Sequence, residues 1–529
     1  MINRDSGLLQ TSISTEAKGL FADFCTSYPD CEFPLDDKVS QKIEKLHIAL
    51  KDADEYAIFR HQSEIDELWR VLLSKSIKCL RYFDEREPFK SNNQKKPQVY
   101  GLDDLYNYYQ KYKEFERMLY GSSQYYRDHV VHVIRTWLSG IRCLVRNNGK
   151  YLDCISIHDE QGVYLERAEK LSIWTIIALT HDLGYPLEKA KDIIEKTQSM
   201  VGTFVTNPDI SMDLSFHGVQ NYMNDFIVRL MSSKMIDNSA RDAKGNIVEE
   251  KYVARLQSKY YFKFQKSLEK TKHGIVSTLI IYKLLTYFLE SDYTINEDYT
   301  FDGDDRRQFY IRREILRAIA SHTCTDVYHM YMGSFAFLLI VADDMQEWGR
   351  KYITELYVPT TVKHVRSDID LTVLEREEGM PPHHCKLTEA VSVSVRDGWR
   401  AVVALLNRLR EQALVYVMIF RDGQETIHRD FDFVREYTIN YEATEPIIFK
   451  MTLKISNQSA AIFSGEVTYA SETQNKEFGQ EFIDELASRT GANVAWKVLD
   501  ISGNETDKSN DNASKWKTGQ IEVDLTSTI

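Results

Sequence analysis

A histidine and an aspartate stand side by side where a long apolar segment stops. The segment LSIWTIIALTHDLGYP, residues 171–186, carries His181-Asp182 just ahead of Gly184 and Pro186, residues that end a helix. An imidazole and a carboxylate are thus set at the end of a helix that is apolar nearly all round. A buried carboxylate without a partner is neutralised or destabilises the fold by several kcal/mol. A divalent metal removes that cost, because it takes a neutral imidazole and an ionised carboxylate as ligands. The plain alternative is a cap or ion pair at a helix boundary.

The same design recurs. In AFLLIVADDMQEWGR, residues 336–350, an apolar run leads into Asp343 and Asp344, although Asp is favoured at helix starts rather than helix ends. Asp343 continues the buried run, and Asp344 could turn to solvent or support a ligand. His273-Gly274 opens an apolar helix, and His322 closes REILRAIASH. The segment after Arg127 has apolar residues at helical spacing from Val130 to Val145. A second face of that helix holds His129, His132, Thr136, Ser139, Gly140 and Cys143, small enough to let a neighbouring helix approach closely. Each histidine alone is more often a satisfied core residue. Several such helix ends meeting at one point would form a metal cage.

These side chains need helices to position them. Five apolar helical segments are expected, over 129–146, 171–183, 273–290, 311–322 and 330–348. Residues 1–120 read as a helical N-terminal region, with a linker-like SNNQKKPQ at 91–98. Residues 121–355 form the block that carries the chemistry, with polar surface loops expected at 237–250 and 291–307. Beyond residue 355, period-two runs at 368–373 and 391–395, a helical stretch at 399–410, and strand-like runs at 413–420, 447–455 and 461–469 predict an α+β accessory domain over 356–529, with a polar tail.

With 66 basic and 79 acidic side chains the chain carries a net charge of −13. That balance repels nucleic-acid backbone and argues against a nucleic-acid coat protein. Arg306, Arg307, Arg312, Arg313 and Arg317 cluster near one helix start, and a solvated face is expected there. Seven cysteines form no CxxC pair, so a thiolate zinc site is not expected and free thiols in a reducing cytoplasm are. No apolar run approaches the roughly 20 residues of a membrane span, and MINRDSGLLQ does not resemble a signal peptide. A soluble cytoplasmic protein is the expectation.

The ordered set His132, His181-Asp182 and Asp343, spread over helices, resembles the HD-domain superfamily of metal-dependent phosphohydrolases. HDLGYP resembles that family's central signature, RDHVVHVIRTWLSG its first helix, and VADDMQEWGR its closing Asp helix. His273 and His322 resemble the extra histidines that members with two metals place between the central pair and the last Asp. The resemblance covers roughly residues 121–355. It implies His132 as the first ligand, with His129 as a proton donor or second ligand. Gly184-Tyr185-Pro186 is similar in part to the Gly-Tyr-Pro of a branch acting on cyclic dinucleotides.

The chemistry expected is hydrolysis of a phosphate ester or anhydride, of the nucleotide class, by a metal-activated water. One or two divalent ions (manganese, iron, cobalt, nickel, zinc or magnesium) would be held by His132, His181, Asp182, Asp343, His273 and His322. Asp344 or His129 would handle protons, and Arg127, Arg135 or Lys272 would neutralise substrate phosphate. Two alternatives stand beside this: a di-iron oxygenase on the same scaffold, and a non-catalytic ligand-binding protein with a structural metal site. No GxxxxGK[ST], HExxH or GxSxG motif is present. Residues 356–529 are compatible with regulation, substrate recognition or a homo-oligomer.

Overall fold

The structure is a computed structural model that describes residues 3–344 and 346, except 55, 85–98, 123–127, 158–161, 206–218, 295, 297–298 and 325–332; after residue 361 it describes the β-strands. Contacts divide the chain into two compact units, Met1–Val327 with Gly333–Asp343, and Tyr328–Met332 with Asp344–Ile529.

The first unit is mainly helical. Its N-terminal helices are α1 (Arg4–Ser12), α2 (Thr15–Leu20), α3 (Ala22–Ser27), α4 (Asp37–Leu50), α5 (Gln62–Asp84) and α6 (Leu102–Ser122). Polar caps set their starts: Asn3 accepts from the Ser6 amide, Ser14 from Ala17 and Asp36 from Val39. Then come α7 (Val130–Val145), α8 (Lys150–Cys154), α9 (Arg167–Thr180), α10 (Tyr185–Val201), α11 (Val219–Ser232), α12 (Ser258–Glu269), α13 (His273–Leu284), α14 (Gly303–Ser321) and α15 (Phe335–Asp344). Among the described residues no helix is long and apolar enough to cross a membrane.

Helix α9 is the axis of the unit. Leu171, Ile173, Trp174, Ile176, Ile177, Ala178 and Leu179 are all fully buried, so the helix is covered on every side. Helices α5, α7 and α14 pack against it, and α1 packs on α7. The seam between α7 and α9 is close: a methyl at Gly140 would lie 2.0 Å from Cζ2 of Trp174. The Trp174 indole donates to the Trp137 carbonyl at 3.1 Å, and the Trp137 indole to the Thr175 hydroxyl at 3.0 Å. The first 120 residues are therefore packed into the same core as the block that follows them.

Three expectations change. The loop expected at 237–250 is a β-hairpin: β1 (Ser233–Asp237) pairs antiparallel with β4 (Tyr252–Leu256), and its exposed tip pairs β2 (Ala240–Arg241) with β3 (Ile247–Glu249). Helix α14 begins eight residues before the expected start at 311, because Asp302 and Asp305 form a reciprocal capping box there. Its arginines are not a solvated face. Arg312 is buried over the Tyr287 ring at 4.1 Å and pairs with Asp84 at 3.0 Å, and Arg307 pairs with Glu169 and Asp84. Carboxylates from α5 and α9, distant in sequence, draw the basic side chains inward.

In the second unit, β5 (Val362–Leu374), β6 (His384–Arg396), β7 (Phe431–Glu442), β8 (Ile447–Ser456), β9 (Ala460–Tyr469) and β10 (Glu472–Glu477) form one sheet in the order β10-β9-β8-β7-β6-β5. All neighbours on that path are antiparallel except β6 and β7. The period-two runs at 368–373 and 391–395 lie in β5 and β6, and the strand-like runs at 447–455 and 461–469 in β8 and β9. The linker at 91–98, the helix at 399–410 and the strand at 413–420 lie outside the described residues.

Replacing Gly140 by alanine is expected to destabilise the full chain by about 1–3 kcal/mol through overpacking against Trp174. Denaturant unfolding measures this, and an unchanged midpoint would show that α7 and α9 are not held at this distance.

Candidate metal centre

Helix α9 ends at Thr180, and His181 is its C-cap. The chain then turns through Asp182, Leu183 and Gly184 into α10, with Pro186 in its first turn. Gly184 is required by space. A methyl there would lie 2.3 Å from the His273 carbonyl oxygen and 2.8 Å from the Ser277 amide nitrogen. The close approach of α13 is tied down by Ser277, whose hydroxyl lies 2.6 Å from the His181 carbonyl oxygen and accepts from the Gly184 amide at 2.8 Å.

Asp182 is buried and ringed by imidazoles from four parts of the chain. Its Oδ2 lies 3.0 Å from His129 Nδ1, 3.5 Å from His181 Nε2 and 3.7 Å from His132 Nε2. Its Oδ1 lies 3.4 Å from His273 Nε2 and 3.7 Å from His322 Nε2. Asp343, near the end of α15, closes the Oδ2 side: its Oδ1 is 2.7 Å from His132 Nε2 and 3.7 Å from His181 Nε2. Ligand atoms of His132, His181 and Asp343 all lie within 4.8 Å of one another, as do those of His181, Asp182 and His322.

The rings are oriented from behind. The Nδ1 of His181 faces the Ala178 carbonyl at 2.9 Å, and that of His322 faces the Ile319 carbonyl. A carbonyl only accepts, so each Nδ1 carries its hydrogen and each Nε2 faces the cluster. Both Nε2 atoms are buried and make no hydrogen bond. His273 is held through Nδ1 by Glu188 at 2.7 Å, and Glu188 also accepts from the His273 amide at 2.8 Å. Asp128 accepts from the Val131 and His132 amides at the start of α7. The Tyr185 ring lies 3.7 Å from that of His129 between centroids, and 5.3 Å from that of His273.

These donors fit a metal. Nitrogen–oxygen separations of 3.4–3.7 Å are too long for hydrogen bonds. Two ligand atoms each about 2.0–2.2 Å from a shared ion stand about 3.0–3.5 Å apart in octahedral or tetrahedral arrangements. Imidazoles with a backbone or carboxylate partner behind the ring are the ordinary form of metal-binding histidine.

Charge is arranged accordingly. Burial works against ionisation of Asp182 and Asp343, but the neighbouring imidazoles hold both well below the usual carboxylate range. Burial likewise opposes a charged His181, but Asp182 and Asp343 outweigh it and hold the imidazole up at about 9. Burial pulls His322 down, with His273 and His181 adding to the effect against the pull of Asp182. Glu188 is also opposed by burial, yet His273 and Lys272 bring it to about 2.

The structure brings together His129, His132, His181, Asp182, His273, His322 and Asp343. Lys272 stands beside them, its Nζ 3.0 Å from Glu188. Arg135 does not join. It is fully buried, and its Nε and Nη2 pair with the Asp5 carboxylate at 2.9 and 2.7 Å. The partner is on α1, 130 residues away, so nothing near Arg135 in sequence betrays it. Arg127 and the side chain of Asp344 lie outside the described residues. Glu188, Asp128 and Ser277 were not anticipated. Glu188 reads locally as an acid in the first turn of a helix, and only the fold sets it behind His273. No protein-family model, no curated protein and no solved structure matches the chain.

Two outcomes are expected. His181, raised above its ordinary 6.5, adds stability to the metal-free fold below that pH and loses it as the pH rises through about 9. Asp182 and Asp343, lowered, add stability above pH 3.8 that is lost on acidification. An entering metal must displace the His181 proton, so uptake by chelator-treated protein releases a proton and affinity rises between pH 6.5 and about 9. Uptake with no proton release, followed by an indicator dye in weak buffer, would contradict this. Separately, Glu188→Gln should weaken metal affinity about 10–100-fold by freeing the His273 ring. Chelator competition reads the change, and wild-type affinity would remove Glu188 from the support of the centre.

Proposed function

We propose that the chain is a metal-dependent phosphohydrolase of HD type, acting on a phosphate ester or anhydride of the nucleotide class. The observation that carries this is the meeting of five imidazoles within 3.0–3.7 Å of one buried carboxylate. Asp182 offers one oxygen to each side. His132, His181 and Asp343 with Oδ2 would hold one ion, and His273 and His322 with Oδ1 a second. Mixed imidazole and carboxylate donors suit manganese, iron, cobalt, nickel or zinc. When bound, such ions polarise a phosphoryl oxygen and lower the pKa of water.

The remaining roles belong to the chain's own side chains. His129, with Nδ1 on Asp182 and its ring against Tyr185, is placed to hold or pass a proton at the rim of the cluster. Lys272, with its side chain 42% exposed, offers positive charge to a substrate phosphate beside His273. Apolar walls from α7, α9, α13 and α15 exclude water from the interior, which strengthens each electrostatic interaction there. Residues 356–529 would form an accessory domain for regulation, assembly or substrate recognition.

Elemental analysis of purified protein, followed by phosphate release from a panel of nucleotides with added manganese, tests the reading beside His181→Ala and Asp182→Ala. Both variants should lose metal and fall to background release while the melting transition persists. Tightly bound iron with oxygen consumption, and no phosphate release, would favour an oxygenase. No metal in any preparation and no activity with manganese would reduce His181-Asp182 to a helix-end feature.

A further inference from the structure

The carbonyls of the turn that carries His181-Asp182 can be followed one by one. Past α9 each is met by the amide three residues on: Leu183 donates to Thr180 at 3.3 Å, Tyr185 to Asp182 at 3.0 Å and Leu187 to Gly184 at 3.1 Å. Two carbonyls fall out of this series. The donor due to His181 is the Gly184 amide, but it goes to the Ser277 hydroxyl, which itself lies 2.6 Å from the His181 carbonyl oxygen. The donor due to Leu183 is residue 186, and Pro186 has no N–H. The next amide, that of Leu187, is taken by Gly184. Leu183 is buried, and a buried carbonyl without a donor is costly.

The missing donor comes from α6, 75 residues away. The Tyr108 hydroxyl donates to the Leu183 carbonyl at 2.8 Å. Burial pushes this phenol's pKa up, which keeps it a donor. The adjacent Tyr109 acts through its ring instead. That ring stacks on Trp69 at 4.4 Å, and the Trp69 indole donates to the Leu179 carbonyl at 3.0 Å. The Tyr109 hydroxyl is buried with no hydrogen-bond partner among the described residues. Farther along α6, Glu116 accepts from the His129 amide at 2.6 Å. One helix of the N-terminal region thus meets both the turn after α9 and the start of α7.

We propose that Tyr108 is a positioning residue of the metal centre, holding the Leu183 peptide so that Asp182 meets its five imidazoles. This role rests on the metal reading given above. A half-buried tyrosine commonly finds an acceptor for its hydroxyl, but here the acceptor is the peptide that directly follows Asp182. On its other side stands Gly184, fitted against α13 with no room for a methyl. The Asp182 oxygens lie 3.0–3.7 Å from the ring nitrogens, a fit that drift of about half an ångström would spoil. Without the hydroxyl, the Leu183 carbonyl turns to find water and carries the turn with it.

Two readouts on the full chain test this, and neither needs turnover. In chelator-treated protein, amide hydrogen exchange over residues 179–188 should quicken in Tyr108→Phe. Cobalt(II) titrated into the same protein, with chelator competition, should bind about tenfold more weakly and with altered visible absorption bands. That loss is at the low end for outer partners of a metal site, because Tyr108 acts through the backbone. Tyr109→Phe is the matched control: it keeps the ring on Trp69, removes a hydroxyl without a partner, and should behave as wild type in both readouts. Wild-type cobalt affinity and bands in Tyr108→Phe overturn the role, even where exchange quickens, since the hydroxyl then serves the fold alone. An equal loss in Tyr109→Phe overturns it too, since any change on α6 would then suffice. Should Tyr108→Phe not fold, adding Pro186→Ala returns an N–H three residues after Leu183. Near wild-type affinity in that double variant supports the role, and a tenfold loss despite the restored donor overturns it. A wild-type chain that takes up no cobalt overturns the metal reading and this role together, whereas the other adverse outcomes overturn this role alone.

Discussion

The carboxylate of Asp182 is buried at the end of a helix that is itself covered on every side, and an unpaired charge in that position costs several kcal/mol. Everything around it answers that requirement. Five imidazoles stand within 3.0–3.7 Å of its oxygens, and they arrive on different helices because one helix cannot place so many side chains at one point. The imidazoles hold Asp182 ionised, and Asp182 with Asp343 keeps His181 protonated when no metal is bound. Protons and metal ions therefore compete for the same nitrogen.

The helices that bring these groups together are held by apolar packing and by a second set of buried charges. Arg135 on α7 is locked to Asp5 on α1, while Arg307 and Arg312 on α14 are locked to Glu169 and Asp84. Each pair joins a helix that carries a proposed ligand, or packs on one, to an element far away in sequence. The N-terminal helices are thereby part of the support of the centre. Close approach is allowed by Gly140 between α7 and α9 and by Gly184 between the His181-Asp182 turn and α13.

Much of this was legible in the residues. The apolar runs ending in His181-Asp182 and Asp343 pointed to buried helix ends, and α7, α9, α13, α14 and α15 carry the histidines and aspartates singled out from sequence. Helical periodicity is a local property, and so is the anomaly of a carboxylate after an apolar run. The misreadings came from non-local partners. Arg135 looked available for a phosphate and is consumed by Asp5. The arginines of α14 looked solvated and are drawn in by carboxylates from α5 and α9. The polar stretch at 237–250 looked like a loop because its alternation is short, and it folds as a hairpin once β4 pairs with β1.

Which helices are buried, and which of them end in groups that bind protons or metals, is written along the chain in its apolar pattern and residue types. Which of those groups meet is set by how the helices pack. That packing set Glu188 behind His273, turned both Nε2 atoms of His181 and His322 toward Asp182, paired Arg135 with Asp5, and left Arg313 and Arg317 facing backbone carbonyls. The reason is physical: a side chain's charge and donors are intrinsic to it, but its partner is whatever the packing of distant helices places within about 4 Å.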